Sequence, residues 1–252
     1  MTFNVSAEAY AKFMGRYAEP LAVQFLESAQ PRTGHRVLDV GCGPGALTGR
    51  LVERLGVQAV SAIDPSDPFV AAVQARWPEI DVRPARAEQL PFEDDRFDLA
   101  LAQLVVQFMT DPVAGLREMA RVTRPGGTVA ACVWDHAGTG GPLSLFWQAV
   151  HDTDPSAVGE AELPGTREGH LQQLFEQAGL TDVESEALTV RLDFATFDDW
   201  WQPFTLGVGP AGDYVTRLDE RHLKALRTRC ADLLPAAPFQ VAAVAWSARG
   251  RA

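Results

Sequence analysis

The sequence is poor in basic residues, and lysine is almost absent. Its 252 residues include 33 acidic and 22 basic side chains, which give a formal net charge of −11 at pH 7. The only lysines are Lys12 and Lys224. Proteins that bind nucleic acid need a basic surface to neutralise phosphates. The charge balance therefore argues against nucleic acid as the main partner, and we predict none.

Cysteines and long apolar runs are also scarce. The three cysteines, Cys42, Cys132 and Cys230, are odd in number and lack the spacing of a metal site, so we predict no bound metal. No apolar run approaches the roughly 20 residues of a membrane span, and the N-terminus has no apolar signal core. We therefore expect a cytoplasmic protein without a membrane span, and the oligomeric state stays open.

What the sequence does contain is an apolar strand that breaks into a glycine-rich turn. The segment reads Val37-Leu38-Asp39-Val40-Gly41-Cys42-Gly43-Pro44-Gly45, and a helical pattern opens at Ala46. Glycine permits the positive φ angles of such a turn and lets a ligand approach the backbone. Asp64 follows a second apolar run, at the distance where α/β nucleotide sites hold a ribose. The alternative is a tight strand-to-helix turn without a ligand.

This segment resembles motif I of the class I S-adenosylmethionine-dependent methyltransferases. Asp39 stands two residues before Gly41, in an Asp-x-Gly-x-Gly-x-Gly spacing that differs from the G-x-G-x-x-G of dinucleotide sites. The resemblance continues in the family's order from about residue 36 to residue 135, and the subgroup it most resembles is the UbiE/Coq5-like set (methyltransferase type 11). The further matching segments are Ala62–Ser66, Ala87–Phe92, Phe97–Ala100 and Arg124–Gly127.

Strand and helix signals alternate along the chain, which predicts an α/β fold with a doubly wound parallel sheet. Strands are predicted at 36–40, 57–63, 80–84, 97–104 and 128–134, and helices at 45–55, 68–76 and 112–122. The resemblance implies a seven-stranded Rossmann-like methyltransferase sheet, mostly parallel with an antiparallel strand at its edge, and a helical cap insertion. Residues 183–193 and 239–247 are expected to form the antiparallel pair.

The same reasoning divides the chain into four parts. Residues 1–30 are predicted to form an N-terminal helical lid, although a helix packed on the core is the alternative, and Pro20 is expected to break or restart the helix. Residues 31–192 form the S-adenosylmethionine-binding core, residues 193–236 a helical cap over the acceptor, and residues 237–252 the last strand of the core.

The resemblance implies S-adenosylmethionine as the cofactor and assigns roles to the residues that match the motifs. The amides of the 41–45 loop suit the carboxylate of the methionine portion. Asp39 holds the ammonium group or, alternatively, orders the loop; Asp64 accepts hydrogen bonds from the ribose hydroxyls or caps the next helix. The predicted cofactor-binding residues are Tyr17, Asp39, Gly41, Cys42, Gly43, Gly45, Asp64, Pro65, Ser66, Ala87, Glu88 and Gln103.

The acceptor side is less well defined by the sequence. Arg86 stands where the subgroup often has an acid that binds the adenine amino group, so the backbone of Ala87 and Glu88 is expected to line the adenine. His136 and Asp135, at the end of the fifth strand, are the candidate general bases, and catalysis by proximity alone is the alternative. Aromatic side chains either wall an apolar acceptor or belong to the core: Trp134, Trp147, Trp200, Trp201 and Phe204.

The leading hypothesis is a methyltransferase that moves a methyl group to a small, partly apolar or aromatic acceptor by in-line displacement. One alternative is an NAD-dependent oxidoreductase on a similar fold. Another is a non-catalytic protein that binds S-adenosylmethionine, because Gln107 stands where many relatives carry a histidine.

Overall fold

The computed structural model describes residues 7–252, so residues 1–6 of the predicted lid lie outside the described residues. The strands are β1 Val37–Val40, β2 Val60–Asp64, β3 Asp81–Pro84, β4 Phe97–Gln103, β5 Thr123–Trp134, β6 Thr181–Phe194 and β7 Phe239–Arg251. The helices are α1 Ala7–Tyr10, α2 Arg16–Ala29, α3 Ala46–Leu55, α4 Asp67–Arg76, α5 Pro112–Val122, α6 Ser144–Thr153, α7 His170–Gln177, α8 Phe197–Trp201, α9 Gly209–Thr216 and α10 Glu220–Leu233.

The seven strands form one sheet in the order β3-β2-β1-β4-β5-β7-β6. β1 to β5 pair in parallel, while β7 runs antiparallel to both of its neighbours, β5 and β6. The predicted fold class, including the antiparallel pair at the edge, is confirmed. The antiparallel strand itself is β7, one position in from the edge, and β6 is the outermost strand.

Each face of the sheet carries its own apolar layer, because the strands present alternate residues to opposite sides. One layer contains Phe25 of α2, Leu51 of α3 and Phe146 of α6. The other contains Leu116 of α5 and Phe175 of α7. Helices on both faces leave the carboxyl ends of the strands uncovered by the sheet's own packing, which is where ligands bind in open α/β folds.

The N-terminal helical segment differs from its prediction. α2 continues through Pro20, so the predicted break there is wrong. The irregularity lies upstream, where Ala11–Gly15 form a π-helical turn between α1 and α2. Proline removes one hydrogen bond, to the carbonyl four residues earlier. For Pro20 that carbonyl belongs to Arg16, at the junction with the π-helical turn, so the regular part of α2 remains intact.

Candidate functional site

A cleft of about 410 Å³ opens at the carboxyl ends of the parallel strands. Its lining comes from residues that follow different strands: Gly41 and Gly43 after β1, Asp64 at the end of β2, Gln103 at the end of β4, and His136 after β5. Parallel strands end at the same edge of the sheet, so residues that are far apart in sequence meet there. The predicted position of the site is the position of this cleft.

Two glycines of the turn face different surroundings. Gly41 has a φ of 72°, and a Cβ built on it would lie 2.5 Å from Cγ2 of Val105. Gly43 has a φ of 53°, but a Cβ there would meet no atom within 4 Å. Glycine at position 41 therefore permits both the positive φ and the close approach of Val105. Gly43 has the positive φ alone and borders the open space of the cleft.

The loop amides are already engaged within the protein. The N–H groups of Gly41 and Cys42 donate to the carbonyl of Ile63 at 2.8 and 2.9 Å, and the N–H of Gly45 donates to the carbonyl of Cys42 at 3.0 Å. The N–H of Gly43 donates to Oδ2 of Asp64 at 2.9 Å. These bonds hold the bend against β2, so the predicted role of the amides toward a carboxylate requires Gly43 to exchange its partner.

Asp64 is buried where it lines the cleft, with 6% of its surface exposed. Its Oδ2 accepts from Gly43, and its Oδ1 accepts from the N–H of Ser66 at 2.8 Å. Burial raises the pKa of this carboxyl, while the two backbone donors lower it. A carboxylate has about four lone-pair positions, so two remain for hydroxyl groups of a ligand. The alternative role as a helix cap is not what these bonds show, because the N-cap of α4 is Ser66.

Asp39 lies behind the glycine turn and does not line the cleft. It accepts a hydrogen bond from Oγ1 of Thr48 at 2.6 Å, because β1 and α3 pack face to face. Burial raises the pKa of Asp39 to about 7, the Thr48 hydroxyl lowers it, and the Asp64 carboxylate raises it further. The Thr48 bond ties the strand to the first turn of α3. The loop amides donate to Ile63, Asp64 and Cys42 and not to Asp39, so the alternative in which Asp39 orders the loop by accepting from these amides does not match the geometry.

The end of the cleft near β3 is lined by Arg86, Ala87 and Glu88. Arg86 is exposed and Ala87 is buried. Oε1 of Glu88 accepts from the N–H of Thr110 at 2.6 Å and, more weakly, from that of Asp111 at 3.3 Å. The Glu88 side chain therefore fixes the start of α5, and contact between adenine and the backbone of this segment stays a prediction. Pro65 and Ser66 complete the same end.

The N-terminal segment forms one wall of the cleft, but through different residues from the one predicted. Tyr10, Phe13 and Met14 line the cleft, whereas Tyr17 lies behind them, 6.2 Å from the ring of Trp134 and 6.5 Å from that of Phe194. A π-helical turn holds more residues per turn than an α-helix. It therefore rotates the residues before it relative to Tyr17, which points into the core. Cys42 and Gly45 likewise do not line the cleft, and Gly45 packs on Trp77.

Several buried polar atoms of cleft residues have no hydrogen-bond partner within the described residues. They are Oε1 of Gln103, Oε1 of Gln107 and Nε1 of Trp134. The amide nitrogens of the two glutamines are satisfied, by the carbonyls of Ala18 at 2.9 Å and Leu104 at 3.0 Å. An unpaired buried polar group costs about 1–3 kcal/mol. The three side chains line the cleft, but these atoms are themselves buried, so a ligand in the cleft would pair with them only after the side chains turn.

A strained residue lies at the same place. Leu104, the residue after β4, has a φ of 63°. Left-handed backbone costs a residue with a side chain about 1–2 kcal/mol, and such strain is concentrated at functional sites. The Leu104 N–H donates to the carbonyl of Cys132 at 2.8 Å, which holds this turn on β5. The turn directs Val105 and Gln107 toward the cleft as well.

His136 and Glu160 form a buried pair on the opposite side of the cleft from Arg86. Their Nε2 and Oε1 atoms are 3.9 Å apart, and both side chains are less than 5% exposed. Oε2 of Glu160 accepts from Nε1 of Trp147 at 2.9 Å. Burial lowers the pKa of His136 to about 4, although the Asp135 carboxylate raises it. Burial raises the pKa of Glu160 to about 7, and the Trp147 bond lowers it. The sequence does not predict a role for Glu160, because this residue lies in an irregular segment without a periodic signal.

Asp135, the other candidate base, does not line the cleft. Its Oδ1 accepts from the N–H of Gly138 at 2.9 Å and from Nε1 of Trp246 at 3.2 Å, and its Oδ2 accepts from the N–H of Gly140 at 3.2 Å. These three bonds fasten the loop after β5 to β7. Asp135 thus holds the loop that carries His136. Of the two candidate bases, only His136 lines the cleft.

The aromatic residues divide between the cleft and the core. Trp134 lines the cleft. Phe204 stacks on Phe146 with ring centroids 4.5 Å apart and contacts Trp200 at 4.7 Å, and Trp201 is buried in the same layer. Of the five aromatic residues proposed for the acceptor wall, Trp134 alone lines the cleft. Trp147 does not line the cleft but holds Glu160, which does, by donating a hydrogen bond to its Oε2.

A comparison with protein families finds a match for residues 38–131 in a family described as a methyltransferase domain. The matched stretch contains the glycine turn, Asp64 and the Ala87–Glu88 segment, which the structure brings to one cleft. The chain contains a class I S-adenosylmethionine-dependent methyltransferase domain. This confirms the class that the sequence predicted, whereas its UbiE/Coq5-like subgroup stays a prediction.

Curated relatives and solved structures agree with this methyltransferase domain. A malonyl-[acyl-carrier protein] O-methyltransferase from Erwinia pyrifoliae is 33% identical over 135 residues, which are 49% of this chain and 51% of that protein. An uncharacterized methyltransferase from Mycobacterium tuberculosis is 35% identical over 135 residues, 54% of this chain and 52% of that protein. The chain thus spans about half the length of these relatives.

The YcgJ protein from Bacillus subtilis shares the fold, with a TM-score of 0.61 at 19% identity over 92% of this chain and 97% of that one. The comparisons thus establish the domain and its fold. Within the described part of the chain, no helix is long and apolar enough to cross a membrane, and no group of acidic, histidine and cysteine side chains is arranged to hold a metal ion.

Proposed function

We propose that this protein transfers a methyl group from S-adenosylmethionine to a small-molecule acceptor bound beside His136. The observation that carries the proposal is the cleft itself. It joins Asp64 and the Ala87–Glu88 segment at one end to the buried His136–Glu160 pair at the other. A nucleotide site and a proton-accepting group in one cavity are what methyl transfer to an O–H or N–H group requires.

The residues of the cleft fit the cofactor. Asp64 has lone pairs left for the ribose hydroxyls, and Ala87 and Glu88 line the end of the cleft where we expect the adenine. The unpaired Oε1 of Gln103 is buried beside the cleft, and it would accept a hydrogen bond from an ammonium group once the side chain turns toward the ligand. Acidic cleft residues outnumber basic ones, since Asp64, Asp67, Glu88 and Glu160 face only Arg86. That balance favours a ligand with cationic groups.

S-adenosylmethionine supplies, when bound, an electrophilic methyl group on a sulfonium. The chain's own residues then have three tasks. Phe13 and Met14 on one wall and Val208 on the other exclude water from the cleft. The strand ends position the two ligands, and alignment of this kind is worth roughly 7–11 kcal/mol. His136, neutral at pH 7 because burial lowers its pKa to about 4, is able to accept a hydrogen bond or a proton.

The predicted lid and cap take their places in this proposal. Tyr10, Phe13 and Met14 of the lid line the cleft, as do Val208, Gly209, Pro210 and Ala211 of residues 193–236. The two parts are linked by Arg16, whose Nη1 donates to Oδ1 and to the carbonyl of Asp199 at 3.1 and 3.0 Å. Lid and cap therefore contact each other beside the cleft.

Calorimetry on the full chain tests the cofactor half of the proposal. We expect S-adenosylmethionine and S-adenosylhomocysteine to bind and NAD to fail to bind. Asp64→Ala should weaken the binding of both nucleosides. Glu93→Ala, which removes an exposed acid outside the cleft, should leave both affinities unchanged. Binding of NAD without either nucleoside would support the oxidoreductase alternative and reject the proposal.

Product formation tests the catalytic half. We expect S-adenosylhomocysteine to accumulate when a suitable acceptor is added. The Erwinia relative is named for a malonyl-[acyl-carrier protein] acceptor, so a malonyl thioester belongs in the panel beside neutral and cationic small molecules. Tight binding of S-adenosylmethionine without turnover of any acceptor would favour the non-catalytic alternative.

A further inference from the structure

The His136–Glu160 pair has the geometry of a two-point grip for one polar atom. Nε2 of His136 and Oε1 of Glu160 are 3.9 Å apart, too far for a hydrogen bond to each other. An atom about 2.8 Å from both would see them roughly 90° apart, within the range that an oxygen or a nitrogen accommodates. Apart from this pairing, the His136 ring makes no hydrogen bond or ion pair within the described residues.

The carboxylate of Glu160 is held in place from behind. Trp147 donates to Oε2 at 2.9 Å, and this bond leaves Oε1 directed toward His136. Glu160 is 3% exposed, so its oxygens are not surrounded by bulk water. A buried carboxylate in this arrangement is an acceptor of hydrogen bonds when it is ionised. It therefore selects for a donor on the ligand.

The charges around the cleft point in the same direction. Arg86 is the one arginine or lysine among the described residues that line it, and it is exposed and lies beside Ala87, at the predicted adenine end. Four acidic residues line the same cleft. A carboxylate on the acceptor would have no cation to pair with near His136. It would also meet Glu160 at short range, and like charges in a partly dry cavity repel strongly.

We propose that the acceptor group is a hydrogen-bond donor, an O–H or N–H carried on an apolar body, and that it is held between Nε2 of His136 and Oε1 of Glu160. This inference rests on the proposed function and narrows its substrate class. It excludes a carboxylate as the methylated group.

Glu160 is also able to accept the proton that the acceptor group releases when it is methylated. When the acceptor atom gains its methyl group, the proton that it releases passes along the hydrogen bond to Oε1, and the carboxylate becomes a neutral carboxylic acid. Burial favours that neutral form, and the pKa of Glu160, raised to about 7, suits a base that works near neutral pH. Because an O–H group gives its one proton to Oε1, neutral His136 supplies the second contact by donating a hydrogen bond from Nε2 to the acceptor atom, which fixes the direction of the O–H or N–H bond.

Binding to the protein loaded with S-adenosylhomocysteine tests the inference without depending on turnover. The probes are 4-propylphenol, 4-propylbenzylamine and 4-propylbenzoate, which share an apolar body and differ in the polar group. We expect the phenol and the amine to bind at least tenfold more tightly than the benzoate. Glu160→Gln, which keeps the shape but removes the charge, should reduce this preference for the amine by at least tenfold.

The matched control is Glu162→Gln, because Glu162 is an exposed acid two residues away in the same segment and does not line the cleft. It should leave all three affinities unchanged. Benzoate binding as tight as that of the other probes, or a loss of amine binding that is equal in both variants, overturns the inference. So does failure of all three probes to bind to a protein that still binds S-adenosylhomocysteine, whereas loss of that nucleoside instead rejects the proposed function.

Discussion

Alanine at Gly41 and alanine at Gly43 should affect the protein in different ways, although both glycines have positive φ. In each variant the left-handed backbone costs about 1–2 kcal/mol. At Gly41 the new Cβ also lies 2.5 and 2.7 Å from the two methyl carbons of Val105. Valine is stiff about χ1 because its Cβ is branched, so Val105 cannot turn both methyls away. Overpacking of this kind costs about a further 1–3 kcal/mol.

Gly41→Ala is therefore expected to lower the free energy of unfolding by about 2–5 kcal/mol in total. Gly43→Ala should lower it by about 1–2 kcal/mol, since no atom lies within 4 Å of its Cβ. Urea denaturation followed by circular dichroism measures both values. The double variant Gly41→Ala with Val105→Ala, compared with Val105→Ala alone, should recover the overpacking part, because that part depends on the pair.

Ligand binding should rank the two variants in the opposite order. The Cβ of Gly43→Ala would enter the cleft that Gly43 lines, so we expect S-adenosylhomocysteine to bind about tenfold more weakly or worse, a change of roughly 1.4 kcal/mol. Folded Gly41→Ala should bind more nearly as the wild type does. If Gly41→Ala proves no less stable than Gly43→Ala, the contact with Val105 is not what requires glycine at this position, and the reasoning is refuted.

Three further predictions follow from the site. Asp64→Ala should weaken S-adenosylmethionine about tenfold or more in calorimetry while the circular dichroism spectrum is kept, because two lone pairs for the ribose are removed; an unchanged dissociation constant removes Asp64 from the site. Asp39→Asn should be more stable than the wild type at pH 8 by up to about 4 kcal/mol in urea denaturation and nearly equal to it below pH 4. The pKa of Asp39 is about 7 in the native state and about 4 in the unfolded state, so the wild type loses stability as the pH rises from about 4 to 7. A gap between the two proteins that does not change with pH contradicts this. His136→Asn should lack the gain in stability that the wild type shows between about pH 4 and 6.5, where the unfolded state binds a proton that the buried imidazole does not; parallel pH profiles of the two proteins would show that His136 is not buried as neutral imidazole.

The end of the cleft that Gly43 and Asp64 line was largely predictable because its signals are local. An aspartate, three glycines and a helix start within ten residues specify a bend whatever surrounds it, and Asp64 follows directly from the end of the next apolar run. Each of these residues lies at or near the carboxyl end of a parallel strand. The carboxyl ends of parallel strands all lie at the same edge of the sheet, so the residues meet there. The structure adds one feature that the sequence does not predict: the loop amides already donate hydrogen bonds within the protein, to Ile63, Cys42 and Asp64.

The end of the cleft around His136 and Glu160 was not predictable in the same way. Glu160 lies in an irregular segment, and nothing beside it in sequence marks it as different from Glu162. It becomes distinctive only because Trp147 of α6 and His136 after β5 bury it. The sequence predicts Tyr17 at the site, but the π-helical turn at Ala11–Gly15 changes which residues face the cleft, and Tyr10 lines it instead.

Local composition thus specified the order of strands and helices, the glycine bend, and the acid that follows the second strand, because these depend on the steric and hydrogen-bonding properties of a few adjacent residues. Packing between distant elements decided which side chains meet. It placed His136 against Glu160, turned Asp135 toward its own loop and left Gln103 and Gln107 each with an unpaired oxygen. The burial that shifts the pKa values of this site arises from the same packing, so no stretch of sequence carries it alone.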